Sequence, residues 1–150
     1  MADIDHIDEK ILQALEQDGR MNNLTLASRV GLSPSACLRR VRDLERAGVI
    51  KGYRAVLDRN VLGVGFTSYI TVALDNHTKA AQTAFERVMR AAPEVRECHN
   101  VTGTVEYLLR VEVADIQAYK AFHTDVLGTL DQVRALVSYI VLSSPKDERA

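Results

Sequence analysis

The segment over residues 26–58, LASRVGLSPSACLRRVRDLERAGVIKGYRAVLD, decides the fold of the N-terminal part of the chain. At its centre Ser33 is followed by Pro34, a pair typical of a helix start. The Ser side chain can cap free backbone amides, and Pro fits the first turn, where its missing N–H is not needed. The helix predicted from there reaches residue 47 and ends at Gly48.

Two further helices are predicted upstream. Asn23 can cap a short helix over residues 23–30, which Gly31 ends. Before it, apolar residues recur at helical spacing over residues 5–18, which predicts a first amphipathic helix. Two short helices joined by a turn that contains glycine indicate a helix-turn-helix.

The last of these helices has two contrasting faces at about 100° per residue. The residues of the polar stripe are Ser35, Arg39, Arg42 and Arg46. The opposite, packing side carries Cys37, Val41 and Leu44. Asp43 and Glu45 are the acids of this helix and lie outside the stripe, so we do not expect internal ion pairs to occupy its arginines. Arg can donate two hydrogen bonds to guanine in the major groove, and Ser can bond bases or phosphates. The pattern therefore predicts a DNA-reading helix, with a merely solvated arginine face as the alternative.

A basic segment follows the helix. Residues 49–57 are rich in β-formers, with Gly52 as a hinge or turn, and predict a short wing or linker strand. This strand would bring Lys51 and Arg54 beside the helix, where such residues commonly contact phosphates. Residues 58–65 contain two glycines and mark a domain boundary. The predicted DNA-contacting residues are Ser33, Ser35, Arg39, Arg40, Arg42, Arg46, Lys51 and Arg54.

The charge of the chain is unevenly distributed. The net charge of −1 counts by itself against a nucleic-acid-binding protein. Residues 1–28 nevertheless carry −4, residues 29–59 carry +5, and residues 60–150 carry −2. One concentrated basic segment is thus hidden in a near-neutral total, and it indicates an anionic partner.

Composition excludes several classes of protein. A chain of 150 residues with 47% hydrophobic and 26% charged residues is neither disordered, fibrous nor a disulfide scaffold. No apolar run approaches the roughly 20 residues of a membrane span, and the acidic N-terminus is unlike a signal peptide. We expect a cytoplasmic protein without membrane contact, in which Cys37 and Cys98 are buried thiols rather than a disulfide.

The remaining ninety residues predict the order βαββαβ. Strands are expected over residues 66–74, 95–101, 107–113 and 133–142, and helices over residues 78–92 and from Asp115 to about Val126. This is the split, ferredoxin-like arrangement of an α+β domain. Helices on one side leave the other side of such a sheet uncovered, and the last strand is apolar on both faces. A second copy packing sheet to sheet would cover it and provide the two-fold partner that a helix-turn-helix needs.

Three ordered motifs together resemble the Lrp/AsnC (feast/famine) family of transcriptional regulators. They are IDEKILQALEQDGR from Ile7, the segment quoted at the outset, and ECHNVTGTVEYLLRV from Glu97. The resemblance implies a winged helix-turn-helix at residues 1–50, a β-strand linker at 51–65 and a ligand-binding, oligomerising αβ-sandwich at 66–150. It also implies dimers that assemble to octamers, and control of amino-acid metabolism genes by an amino-acid effector.

In this family the effector site lies between dimers, around the loop that joins the second and third strands. The resemblance therefore implies as effector-binding residues Gly103, Thr104, Glu106, Tyr107 and Ser138. Glycine lets backbone amides approach a ligand carboxylate, and an acid can meet its ammonium group. Many members carry an acid where this chain has Thr104 and Asp where it has Glu106, so the effector is not predictable and an effector-independent member stays open.

No catalytic or metal-binding constellation is visible in the sequence. The histidines and cysteines have no metal-ligand spacing, and neither a phosphate loop nor a nucleophile elbow is present. His99 is expected to be packed or hydrogen-bonded. The leading hypothesis is a sequence-specific, effector-responsive DNA-binding regulator without a cofactor. Two alternatives stay open: a nucleoid-organising protein with little sequence preference, and an amino-acid-sensing regulatory subunit of an enzyme.

Overall fold

The computed structural model describes residues 4–147. The chain divides into two compact units, Met1–Ala55 and Val56–Ala150. Residues 51–55 of the expected linker therefore belong with the first unit, and the rest of it belongs with the second.

The first unit consists of three helices. They are α1 (His6–Gln17), α2 (Asn23–Val30) and α3 (Pro34–Arg46). Their apolar faces meet in a small core that contains Ile11, Ala14, Leu26, Ala27, Val30, Cys37 and Leu44. Gly31, with φ +74°, ends α2 in the left-handed conformation that favours glycine. The predicted helix-turn-helix is confirmed.

Side chains cap α2 and α3, but the cap of α2 lies one residue earlier than predicted. Asn22, not Asn23, accepts a hydrogen bond from the Thr25 backbone N–H, at 2.9 Å. Asn23 instead donates its side-chain amide to the Pro34 carbonyl oxygen at 2.8 Å, which ties the start of α2 to the start of α3. Adjacent asparagines offer the same capping group, so residue type alone did not distinguish them. The Ser33 cap of α3 is confirmed.

The predicted strand over residues 49–57 is wrong, because no strand forms there. The backbone N–H groups of Val49 and Ile50 both donate to the Leu44 carbonyl oxygen, at 3.0 and 3.2 Å, and Gly48 adopts φ +70°. These contacts satisfy the free carbonyl end of α3, and both side chains pack against the helical core. The β-branched residues that indicated a strand therefore terminate α3. Within residues 4–147 the rest of the segment pairs with no other strand.

The second unit has the predicted βαββαβ order. Its elements are β1 (Phe66–Leu74), α4 (Lys79–Ala91), β2 (Val95–Asn100), β3 (Tyr107–Val113), α5 (Ile116–Asp125) and β4 (Val133–Ile140). A short 3-10 turn, Leu127–Thr129, follows α5 and was not predicted. The strands lie in the order β2-β3-β1-β4, and every neighbouring pair is antiparallel.

One face of the sheet forms the core of this unit with α4 and α5. Ile70 and Val72 of β1 lie opposite Leu109 and Tyr107 of β3, and all four are buried completely. The Phe85 ring of α4 packs on Tyr107, with ring centroids 4.6 Å apart. Alternate residues of these strands therefore face the helices.

The other face of the sheet carries a cluster of charges around Glu112 of β3. The Glu112 side chain is 2% exposed and lies 2.6 Å from Arg110, 3.5 Å from Arg59 and 3.7 Å from Arg96. Asp147, near the end of the described chain, lies 3.4 Å from Arg110. Part of the face expected to be uncovered is therefore occupied by an ionic network.

The last strand remains exposed in the single chain. Val137 and Tyr139 lie opposite Thr71 and Tyr69 on the face away from the helices, and they are 49% and 57% exposed. Such adjacent apolar side chains on a sheet edge need cover in a stable protein. The exposed surface fits the expectation of a second copy at this strand.

The two cysteines differ in accessibility. Cys37 is buried in the helical core as predicted, and burial raises the pKa of its thiol. Cys98 is exposed, which corrects the prediction, because β2 is an edge strand. Its side chain lines a cleft of about 440 Å³ between α4 and β2. Partial burial there, followed by the nearby Glu86 carboxylate, raises the pKa of the Cys98 thiol.

Candidate functional site

The outer face of α3 presents a short polar and cationic row. Ser35, Arg39 and Arg42 are exposed, as the helical spacing predicted. Neither arginine forms an ion pair with any carboxylate of residues 4–147. Ser33 caps the helix by accepting from the Ala36 backbone N–H at 3.3 Å. The guanidinium groups of Arg39 and Arg42 are therefore available to an anionic or hydrogen-bonding partner.

Arg40 does not belong to this row, although it was predicted to contact DNA. Its guanidinium Nη1 donates to Asp5 at 2.8 Å and to Asp8 at 2.9 Å, which fastens α3 to the start of α1. The sequence contains the signal, since residue 40 shares the helix side of Cys37 and Leu44. Arg40 therefore has a structural contact in this unit.

Arg46 is also engaged, contrary to the expectation that ion pairs leave the stripe free. It pairs with Asp43, one turn earlier on the same helix. Both side chains are more than half exposed, so water screens this pair strongly and a phosphate can compete for the arginine. Arg46 is thus a weaker candidate than Arg39 and Arg42, which have no such acid.

The basic segment after α3 is attached to the helices by Tyr53, a residue that the sequence analysis missed. The Tyr53 hydroxyl donates to Glu45 of α3 at 3.0 Å, and its ring lies beside Gly19. Burial and then this hydrogen bond to a carboxylate raise the pKa of Tyr53. The exposed Lys51 and Arg54 flank this anchor, so this start of the expected linker is held within the first unit, and it forms no strand.

Leu38 is a second residue that the sequence analysis did not single out. It is 38% exposed and lies on α3 three residues after Ser35 and four before Arg42. Residues at these spacings are neighbours on a helix surface. An apolar side chain therefore lies next to the polar row, where it can meet a thymine methyl group.

The predicted effector loop lies between β2 and β3. Gly103 adopts φ +145°, and open space surrounds the position where a side chain would begin. Thr104 beside it is exposed. The loop thus offers accessible backbone at two successive residues, and at Gly103 any side chain would strain the backbone.

Glu106 is the most fixed member of this loop. One carboxylate oxygen, Oε2, accepts from the Leu74 backbone N–H at 2.7 Å. The other, Oε1, lies 3.1 Å from Nδ1 of His77, and the Glu106 side chain is 13% exposed. Its backbone N–H donates to the Val72 carbonyl oxygen at 3.0 Å. The acid is therefore positioned at the end of β1, by contacts that the sequence analysis did not include.

The other two predicted effector residues are not at the loop surface. The Tyr107 ring is completely buried, and its hydroxyl donates to Glu86 of α4 at 2.8 Å. Burial and then the Glu86 carboxylate raise the pKa of Tyr107 to about 12. Ser138 hydrogen-bonds to the Tyr119 hydroxyl of α5. It lies opposite Ile70, four residues along β1 from the Glu106 contact, a span of about 13 Å.

Two negative findings concern residues 4–147 alone. In this range no group of three or more His, Cys, Asp or Glu side chains could hold a metal ion. No helix in the same range has the length and apolarity to cross a membrane. His99, expected to be packed or hydrogen-bonded, is exposed and hydrogen-bonds to Glu97 at 3.3 Å.

Comparison with known proteins matches both units. A model of the Lrp/AsnC ligand binding domain matches residues 67–150, and one of winged helix-turn-helix DNA-binding domains matches residues 4–51. The proline dehydrogenase transcriptional activator of Rhizobium radiobacter is 39% identical, over 97% of this chain and 93% of that protein. The leucine-responsive regulatory protein of Escherichia coli K12 is 38% identical, over 96% of this chain and 88% of that one.

A solved structure agrees over nearly the whole chain. It is a transcriptional regulator from Neisseria meningitidis in complex with L-methionine, with a TM-score of 0.91 and 38% identity. The similarity covers 95% of this chain and 92% of that one.

Proposed function

The chain belongs to the Lrp/AsnC family of DNA-binding transcriptional regulators, and from that premise we propose that it reads specific DNA sequences through α3 under the control of an amino acid. The observation that carries the proposal is the exposed row Ser35, Arg39 and Arg42, whose arginines have no acidic partner in residues 4–147. The protein acts in the cytoplasm. Its target genes are genes of amino-acid metabolism, together with the gene that encodes the protein itself.

Different residues carry sequence preference and general affinity. Arg39 and Arg42 project from the exposed face of α3, and arginines on a helix in the major groove can reach base edges. Lys51 and Arg54 lie on the segment held by Tyr53 and contact phosphates, which position the protein without reading sequence. Ser33 and Ser35 at the start of α3 bond phosphates or bases, and Arg46 reaches a phosphate at the cost of its Asp43 pair.

A gel-shift series tests the DNA proposal. The full chain is titrated onto the promoter of its own gene, that of the divergent neighbouring gene and unrelated DNA of equal length. Arg39→Ala or Arg42→Ala removes about 1–3 kcal/mol of preference for the specific promoter, while Arg87→Ala on α4 serves as the matched control. If the protein does not retard the promoter DNA at moderate salt, the proposal is wrong. Equal binding to unrelated DNA indicates a nucleoid-organising protein instead.

The effector proposal places an amino acid at the loop over residues 101–106. Accessible backbone at Gly103 and Thr104 suits a ligand carboxylate, and the positioned Glu106 suits an ammonium group. Tyr107 supports the loop from the core, and Ser138 contributes from a second copy of the chain. The L-methionine complex of the Neisseria regulator makes an amino acid the first ligand class to test.

A thermal-shift panel of the twenty L-amino acids tests the effector proposal. A binding amino acid raises the melting temperature of the full chain, because it binds the folded state alone. Gly103→Val removes this response, since a branched residue at φ +145° displaces the loop. The proposal is wrong if no amino acid raises the melting temperature, or if the valine variant responds like the wild type.

The assembly proposal concerns β4. A second copy packs against the exposed Val137 and Tyr139, and dimers associate further to octamers. Light scattering at micromolar concentration then gives at least twice the chain mass, and Tyr139→Glu lowers it by placing a charge in the interface. A monomer in the wild type contradicts this proposal. The two-fold axis would also match a palindromic operator.

A further inference from the structure

The carboxylate of Glu106 has two oxygens with different partners. Oε2 accepts from the Leu74 backbone N–H at 2.7 Å, so the strand itself holds it. Oε1 faces Nδ1 of His77 at 3.1 Å. An ammonium group that approaches Glu106 can use Oε1 without breaking the β1 contact, but it meets the His77 ring there.

His77 is well placed to move aside. Its side chain is 73% exposed, whereas that of Glu106 is 13% exposed, so the imidazole covers the acid from the solvent side. The backbone around it is fixed, since Asn76 Oδ1 accepts from the Thr78 hydroxyl at 2.7 Å and Thr78 caps α4. Rotation of the ring therefore uncovers Oε1 while the loop keeps its conformation.

We propose that His77 is a specificity-determining residue, whose imidazole occupies in the ligand-free protein the place that the ammonium group of an amino-acid effector takes. The inference rests on the proposed effector function. It explains how an acid that is already hydrogen-bonded can still serve a ligand: the ammonium nitrogen takes the place of the imidazole nitrogen at Oε1. A ligand without an ammonium group leaves the contact between His77 and Glu106 in place, so its binding does not depend on His77.

Among residues 4–147 Glu106 is the acid that pairs with His77. Replacing His77 therefore frees Oε1 of Glu106 and breaks no other ion pair in this part of the chain.

Calorimetric titration of the full chain tests the inference. The probes are the L-amino acid that gives the largest thermal shift and its α-hydroxy acid analogue, which lacks the ammonium group. His77→Ala tightens binding of the amino acid by about two- to five-fold, the value of a partly exposed ion pair. The variant leaves binding of the hydroxy acid unchanged.

His99→Ala is the matched control, because His99 forms a similar pair with Glu97 on β2, at 3.3 Å. It retains wild-type affinity for both ligands. If His77→Ala binds the amino acid like the wild type, or if it tightens binding of the hydroxy acid equally, the inference is overturned and the effector site stands. If no amino acid binds the wild type or His77→Ala, the effector proposal itself fails, together with the inference that rests on it.

Discussion

Arg40 of α3 donates to Asp8 of α1 across 2.9 Å, with the Asp8 side chain 12% exposed. The same guanidinium nitrogen reaches Asp5, the residue that caps α1. Asp5 and Asp8 also cap each other's backbone reciprocally. Arg40 of α3 thereby fixes the start of the first helix, whereas the task proposed for the neighbouring Arg39 is to contact DNA.

Replacing Arg40 and Arg39 in turn separates these tasks. Arg40→Ala lowers the melting temperature, because the nearly buried Asp8 side chain keeps the Asp5 backbone N–H but loses its arginine partner. Arg39→Ala leaves the melting temperature unchanged and weakens specific DNA binding. Calorimetric melts and gel shifts on both variants measure the two effects. Equal stability of the two variants would show that the contact between α1 and α3 contributes nothing.

Acid should weaken the same contact. The backbone N–H of Asp8, followed by the Arg40 guanidinium, lowers the pKa of Asp5 below its ordinary value of 3.8. The contribution of this carboxylate to stability is therefore complete above that ordinary value and is lost as the pH falls through the lowered one. Between about pH 5 and about pH 2.5, Asp5→Asn should lose less stability than the wild type. If the melting temperatures of the two proteins fall in parallel as the pH is lowered, the prediction is contradicted.

Tyr107 should govern the alkaline limit of the second unit. Its pKa is raised from 10.0 to about 12, so the folded state holds the phenolic proton more tightly than the unfolded state. The stabilisation is complete below pH 10 and is lost as the pH rises toward 12. Tyr107→Phe costs about 1 kcal/mol at neutral pH through the lost Glu86 hydrogen bond, and it flattens the alkaline decline in denaturant melts. An alkaline decline as steep as that of the wild type would refute this role.

Leu38 should read a thymine methyl group. Replacing one thymine of the operator by deoxyuridine removes that methyl and weakens wild-type binding by about 1 kcal/mol at the contacted position. Leu38→Ala binds both operators equally and keeps its melting temperature, since the side chain is 38% exposed. Leu24→Ala, an exposed leucine on α2, is the control and stays sensitive to the methyl. If no thymine replacement distinguishes Leu38→Ala from the wild type, the contact is absent.

Local patterns predicted the elements of this fold better than they predicted its contacts. The strand over residues 66–74, the Ser33 cap and the βαββαβ order follow from alternation, capping chemistry and turn residues, which act over a few positions. The strand at residues 49–57 failed because Val49 and Ile50 satisfy the end of α3 instead. The β propensity of a residue does not specify its partner, because the partner is set by the tertiary structure.

The candidate sites show the same division. Helical spacing placed Ser35, Arg39 and Arg42 on one exposed face, and the position of Arg40 on the packing side was present in that spacing as well. The contact of His77 with Glu106 was beyond sequence reasoning, because twenty-nine residues separate them and the sheet brings them together. Long-range pairs of this kind need the fold before they can be recognised.

Because the two cysteines differ in exposure, a spectroscopic label can be attached to one of them without any substitution in the chain. Cys37 is enclosed by the helical core, so a maleimide spin label or dye attaches to Cys98 alone. The raised pKa of the Cys98 thiol makes that labelling slow at neutral pH, and it also protects the native chain from oxidation. In the proposed dimer, a label on β2 would report the distance between the two copies, and a change of that distance on addition of an amino acid would test the proposed response.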